Sequence, residues 1–186
     1  MAKVFRAAEM MSEDVQSYVI SCQYQAGGVD APIEDGSFVK LGELKDDKTY
    51  VASGDKDYNV YLASQPTAVT DEVVVIDYPG VSEGTISGNS YRMGVKLFDL
   101  MAPAGRPVRA RRLALHDRFW LGEGNFNGSV AVGNIAGLEA NKTTLKDSGS
   151  QEITEGQLNV KIHLGKDFNY GQSASGKLYL CEVVGL

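Results

Sequence analysis

The sequence predicts a mainly β protein, a β-barrel or sandwich-like arrangement of short mixed strands, with little helix and an N-terminal arm. Three observations predict it. Glycine is plentiful, at 21 of 186 residues, and proline is scarce, at 5; many glycines among short β-branched runs favour turns and strands over a helix bundle. Gly156–Leu164 alternates, with Leu158, Val160, Ile162 and Leu164 on one face and Asn159, Lys161 and His163 on the other. That is the period-2 pattern of a strand with one buried side. Val73–Ile76 is an unbroken apolar run, which suits a strand buried on both faces.

The elements follow in order. Residues 1–16 fit a short helix, with Phe5, Ala8 and Met11 on one stripe, or an extended arm; two helical turns are marginal alone. Ser17–Gln25 is rich in β-formers and is closed by Gly27-Gly28. Asp35-Gly36 opens the next strand, Ser37–Leu41, and Gly42 follows it. Asp46-Asp47-Lys48 makes a polar turn before Thr49-Tyr50-Val51, and Asn59–Ala63 and Glu72–Asp77 are further strands. Pro79-Gly80 breaks the chain, and the segment to Asn89 reads as a loop. Tyr91–Leu100 carries both periods; a strand and then one helical turn before Pro103 are expected. Residues 122–129 form a loop with a turn at Asn127-Gly128. Lys166–Gly176 reads as a polar loop and Lys177–Val184 as a final strand. The chain divides into an arm and first strand (1–28), a β-rich core (29–121) and a C-terminal β-unit (122–186), packed as one domain. A domain of this size buries roughly 70% of its unfolded surface and needs no disulfide or metal staple.

Net charge is −6 and the isoelectric point about 4.9, which argues against nucleic-acid binding by the whole surface. No stretch of about 20 apolar residues provides a membrane span, and the N-terminus lacks the apolar core of a secretory signal. Synthesis in a cytoplasm is expected, and with it two unpaired thiols at Cys22 and Cys181.

Against this acidic background one stretch stands out. Ala104–Leu121 holds five of the seven arginines, Arg106, Arg109, Arg111, Arg112 and Arg118, with the only tryptophan, Trp120, and one of two histidines, His116. Its apolar residues alternate as in a strand, Arg111-Arg112 breaks the phase as a β-bulge would, and His116-Asp117-Arg118 turns into a second strand. Three readings are open: a solvated face whose arginines pair with nearby acids, a protein interface anchored by arginine and tryptophan, or a contact with single-stranded nucleic acid.

Catalytic motifs fail on inspection. Asp55-Lys-Asp57-Tyr-Asn59 opens like a calcium loop, but Val60 and Pro66 stand where glycine and glutamate are required. Gly122-Glu-Gly124 reaches Gly128 one residue late for a dinucleotide fingerprint. Gly171–Gly176 lacks the spacing of a nucleophile elbow. His116 and His163 have no companion ligands at zinc spacing. No catalytic, cofactor-binding or metal-binding residue is therefore assigned, and no enzyme activity is expected.

Three stretches together resemble the head decoration, or capsid cement, proteins of tailed bacteriophages. They are Ile33-Glu-Asp-Gly-Ser-Phe-Val-Lys-Leu-Gly-Glu-Leu44, Val73-Val-Val-Ile-Asp-Tyr-Pro-Gly80, and Leu97-Phe-Asp-Leu-Met-Ala-Pro-Ala-Gly-Arg-Pro-Val-Arg-Ala-Arg-Arg-Leu113 followed by His116-Asp-Arg-Phe-Trp120. The resemblance covers about residues 30–121, half the chain. It implies a non-enzymatic structural protein on the outer surface of a phage capsid, made in the host cytoplasm, which bridges and stabilises subunits of the major capsid protein. It implies no cofactor, nucleic acid or membrane as partner, and allows a homo-oligomer on the capsid. Arg106, Arg109, Arg111, Arg112 and Trp120 are the candidate partner-binding residues. A carbohydrate- or cell-surface-binding β-domain and a small-barrel nucleic-acid binder are the alternatives.

Overall fold

The computed structural model describes residues 3, 5–11, 18–45, 60–78, 83–86, 89–92, 101–170 and 174–186. The chain is mainly β, as its sequence predicts. The described strands are β1 (Phe5–Glu9), β2 (Val19–Ala26), β3 (Val29–Asp30), β4 (Ile33–Glu34), β5 (Phe38–Leu44), β6 (Val60–Ser64), β7 (Val73–Ile76), β8 (Glu83–Ile86), β9 (Asn89–Arg92), β10 (Met101–Ala102), β11 (Val108–Arg112), β12 (Arg118–Gly122), β13 (Ile135–Leu138), β14 (Leu145–Asp147), β15 (Asn159–Tyr170) and β16 (Ala174–Gly185).

Five of them close into a ring. The order is β11-β7-β5-β6-β2, and β11 returns to pair with β2. Ala110 marks the closure: it stands opposite Ile76 on one side and Ile20 on the other. Only β2 and β6 run parallel within the ring. Closure leaves these strands no free edge. The inward layer is Cys22, Val39, Ala63, Val74, Ile76, Val108 and Ala110, and Ile33 and Ala102 from the small β4–β10 ladder pack into the same cluster. At one rim β2 turns into β3 through Gly27 (φ 60°) and Gly28 (φ 82°), the double positive φ of a type I′ hairpin.

The second sheet has the order β1-β12-β16-β15-β13-β14, with every pairing antiparallel. Its inner face supplies Phe119, Leu121, Val160, Ile162 and Cys181 to a cluster that also contains Phe38, Val73 and Val75 from the barrel wall. The run Val73–Ile76 is thereby explained. Val74 and Ile76 point into the barrel, Val73 and Val75 point into the core between barrel and sheet, and all four are buried. The N-terminal arm is a strand, with Phe5 opposite Leu121 and Arg6 opposite Trp120. The two units thus cut across the sequence segments, because residues 1–28 give β1 to the sheet and β2 to the barrel.

Several local expectations are corrected. β11 pairs Ala110, Arg111 and Arg112 with Ile76, Val75 and Val74 without a register shift; there is no bulge, and Arg112 stays in phase with Ala110. Register shifts occur instead in β1, β5 and β15, and one of those in β15 lies between Ile162 and Leu164. It turns Leu164 out of the apolar face, leaving it 49% exposed. Lys166–Gly176 is no loop at its ends, since β15 and β16 extend to Tyr170 and Ala174. β8 lies inside the expected Pro79–Asn89 loop and pairs with β9, whose Tyr91-Arg92 fall where a strand was expected, and Met101-Ala102 is extended rather than helical. Gly42 lies within β5, where a Cβ would come within 3.2 Å of the Leu62 carbonyl oxygen. The expected turn and strand at 46–51, Asn59, Pro79-Gly80 and residues 93–100 lie outside the described residues.

Cys22 lines the barrel and Cys181 the second core, so the two free thiols occupy separate interiors. Burial pushes the Cys22 thiol up to about 12 and the Cys181 thiol up as well. Neither forms thiolate at neutral pH, and the thiolate is the reactive form. We expect an aromatic disulfide reagent to leave the native protein unmodified and to titrate both thiols in denaturant without reductant. Rapid native modification would show that one core opens readily.

Candidate interaction surface

The arginine-rich segment divides between the barrel and the sheet. On β11, alternate residues face opposite ways. Val108 and Ala110 face the barrel interior, so Arg109 and Arg111 share the outer side. Both meet Asp77, the residue after β7. Arg111 Nε lies 2.5 Å and an Arg109 terminal nitrogen 2.9 Å from the same oxygen, Asp77 Oδ2. Arg111 and Asp77 are buried, each side chain 11% exposed. Arg112 points the other way, toward the barrel end, 3.9 Å from the exposed Glu72 carboxylate. Arg106 is exposed in the loop before β11, and Trp120 belongs to the other sheet. The five candidate residues do not form one patch. The structure joins Arg109 to Arg111 through Asp77 and leaves Arg106, Arg112 and Trp120 apart.

Asp35 ties the two units together. Its two carboxylate oxygens accept backbone N–H bonds from Phe5 of β1 and from Tyr78 after β7, each 2.9 Å. Its carbonyl accepts from the Asn125 amide at 3.1 Å. Gly36 follows at φ 68°, and a Cβ there would strike the Asn125 side chain; only glycine fits. Burial pushes the Asp35 carboxyl up to about 7, against the two N–H bonds, and neighbouring Asp77 pushes the same way. An ordinary Asp releases its proton near 4. The folded chain thus binds more protons than the unfolded chain between about pH 4 and 7, and this group's contribution to stability falls as pH rises through that window. The difference in unfolding free energy between the parent and Asp35→Asn, from urea titrations, should fall from pH 4 to 7 and level off above. A difference flat across that range would show an ordinary carboxyl.

The outer face of the sheet has a different character. Strand alternation and pairing place Arg6 beside Trp120 across β1 and β12, and Arg118 beside Glu182 across β12 and β16. Lys161 pairs with Glu182 and Lys166 with Leu178 across β16 and β15. The Lys166 ammonium sits 4.2 Å from the centre of the Trp120 ring. It reaches there across β16, the strand between them, a cation–π contact. Both histidines converge on Glu182: His116 Nδ1 is 3.0 Å and His163 Nε2 is 2.7 Å from its two oxygens. Arg118 Nε lies 3.5 Å from the same carboxylate, and its terminal nitrogen is 3.2 Å from Glu9. The His116 hydrogen bond, then His163 and Arg118, hold the Glu182 carboxyl below its ordinary range against the cost of burial. It is a fixed anion in a cationic surround.

No family model matches the chain, and neither a curated protein nor a solved structure matches it.

The chemistry of the surface has to be read from its residues alone. Among the described residues, no group of three or more His, Cys, Asp or Glu side chains is placed to hold a metal ion, and no helix is long and apolar enough to cross a membrane. Arg6, Lys161, His163 and Lys166 were not singled out as candidate partner-binding residues by sequence. The alternation of Asn159, Lys161 and His163 was a legible signal for a polar face, but the pairing that sets it beside Trp120 was not.

Proposed function

We propose that the protein is a non-enzymatic structural component of a phage virion that binds the outer surface of the capsid and bridges neighbouring subunits. The observation that carries this reading is the outer face of the second sheet. In a chain of net charge −6, it sets the permanent cations Arg6, Arg118, Lys161 and Lys166 around the only tryptophan, with two carboxylates, Glu9 and Glu182, among them. Arginine and tryptophan are typical anchors of protein interfaces, and complementary charge sets register and on-rate. The resemblance to capsid cement proteins supports the same reading. Its three stretches contain β4, β5, β7, β10, β11 and most of β12, and Asp35 and Phe38, which join barrel to sheet, lie within them. On a shell, many copies repeat a modest contact, and binding the assembled state alone stabilises it by mass action.

The test is whether a major capsid gene lies beside the gene for this chain, and whether the chain co-sediments with shells assembled from that gene's product. Saturable binding at a fixed ratio is expected, with the loaded shells resisting heat better than bare ones. Absence of binding at low salt would overturn the proposal. An alanine scan over Arg106, Arg109, Arg111, Arg112 and Trp120 in the same assay separates interface from scaffold: Arg109 and Arg111 share Asp77, so their variants should be checked for folding before binding is read.

A further inference from the structure

We infer that the outer face of the second sheet, rather than the β11 arginines, is where a partner docks, and that the occupant is a carboxylate-rich protein surface. The inference rests on the reading above and narrows it to one face and one chemistry. Two observations separate this face from β11. The buried Arg111 and its neighbour Arg109 are already committed to Asp77, on the barrel side. Lys161 and Lys166 instead project from the side opposite the core, and Leu164, turned out by the register shift in β15, adds apolar surface beside them.

The occupant follows from charge and from Trp120. Four permanent cations against two carboxylates give the face a positive excess in an acidic molecule. A polyphosphate strand is the poorer fit. Non-specific single-strand binding needs aromatic faces open for stacking bases, whereas the Trp120 ring is covered by Lys166. Glu9 and Glu182 would also repel an unbroken line of phosphates. A protein surface can place carboxylates against Lys161 and Lys166 and donors against Glu182. The Lys166–Trp120 pair then serves as a hydrophobic and cationic anchor in one place.

The test uses the full chain with a charge-matched control. Lys161→Glu/Lys166→Glu reverses the face. Arg106→Glu/Lys142→Glu makes the same change in net charge at two exposed loops, before β11 and after β13, off that face. Both must melt like the parent. Two probes are used: the capsid shells, and a tryptophan-free Asp/Glu-rich peptide followed by Trp120 emission, with an oligo-dT of equal charge alongside. We expect the face variant to lose about tenfold or more in affinity for shells and peptide, with the control close to the parent. Peptide binding should also shift the parent's emission and weaken as salt rises. Equal losses in both variants would reduce the effect to net charge and overturn the inference. So would tighter binding of oligo-dT than of peptide, or no loss in either assay. A parent that ignores the shells but binds the peptide through Lys161 and Lys166 would sink the capsid reading and leave the face standing.

Discussion

Asp77→Ala is expected to lower the unfolding free energy by about 3–5 kcal/mol, the cost of removing one partner from a buried ion pair. Arg111 keeps its charge at any working pH, and its side chain is only 11% exposed. Without the carboxylate, that charge stays in the seam between barrel and sheet. Arg109 adds little to the figure, because it is 42% exposed and screened by solvent. A domain of this size loses roughly 2–4 °C of melting temperature per kcal/mol, so a thermal melt will resolve the change. The informative companion is Asp77→Leu/Arg111→Met. Apolar groups of similar volume often replace a buried pair at no loss, and the double variant should recover much of the stability lost by Asp77→Ala. If Asp77→Ala melts like the parent, the Arg111 charge is better solvated than its burial implies.

Phe38→Ala should cost a similar amount, about 3–5 kcal/mol, as a large-to-small change in a packed core. Phe38 is fully buried. It leaves the barrel wall beside Val75 and enters the core with Phe119, Leu121 and Val160. Its backbone N–H donates to the Thr143 carbonyl at 2.9 Å, a second tie between the units. The cavity would open on the seam and not inside the barrel. Protection of β7 and β12 amides against hydrogen exchange should fall more than that of β2 and β6. Uniform loss across all four strands would mean that the two cores unfold as one, with no separate weakness at the seam.

How much of this was legible in the sequence depends on whether the information was local. β2, β5, β6 and β7 follow from β-formers and glycine punctuation, β11 and β12 from apolar alternation and the turn between them, and β7 even announces its two buried faces. The turn at His116-Asp117 was also legible: Asp117 accepts the Ala114 N–H at 2.8 Å, a short-range bond that Asp favours. Two kinds of fact were hidden. The register shift after Ile162 depends on how β15 meets β16, so alternation alone put Leu164 in the core. The split of the arginine segment depends on strand order, because residues a few positions apart on β11 and β12 join different sheets. Arg111-Arg112 looked like a broken phase, when Arg111 is an outward residue buried against Asp77 after β7. A charge buried by a partner 34 positions away leaves no mark on local periodicity.

The closed ring has a consequence for synthesis on the ribosome. Phe5 pairs with Leu121, so β1 waits for a partner made more than 90 residues later, and β2, which meets β6 first, waits as long for β11, where Val19 pairs with Arg111. β12 in turn needs β16 beside it. β2, β3, β5, β6 and β7 can pair among themselves as they emerge, but the ring stays open until β11 is made, and Phe38, Val73 and Val75 on its outer wall wait for the second sheet to cover them. Such non-local pairing places folding in the slow range of about milliseconds to seconds. It also exposes the nascent chain to strand-edge association until β16 arrives. Truncation before residue 174 should therefore give aggregate rather than a smaller folded domain, and chaperone dependence during expression should be pronounced.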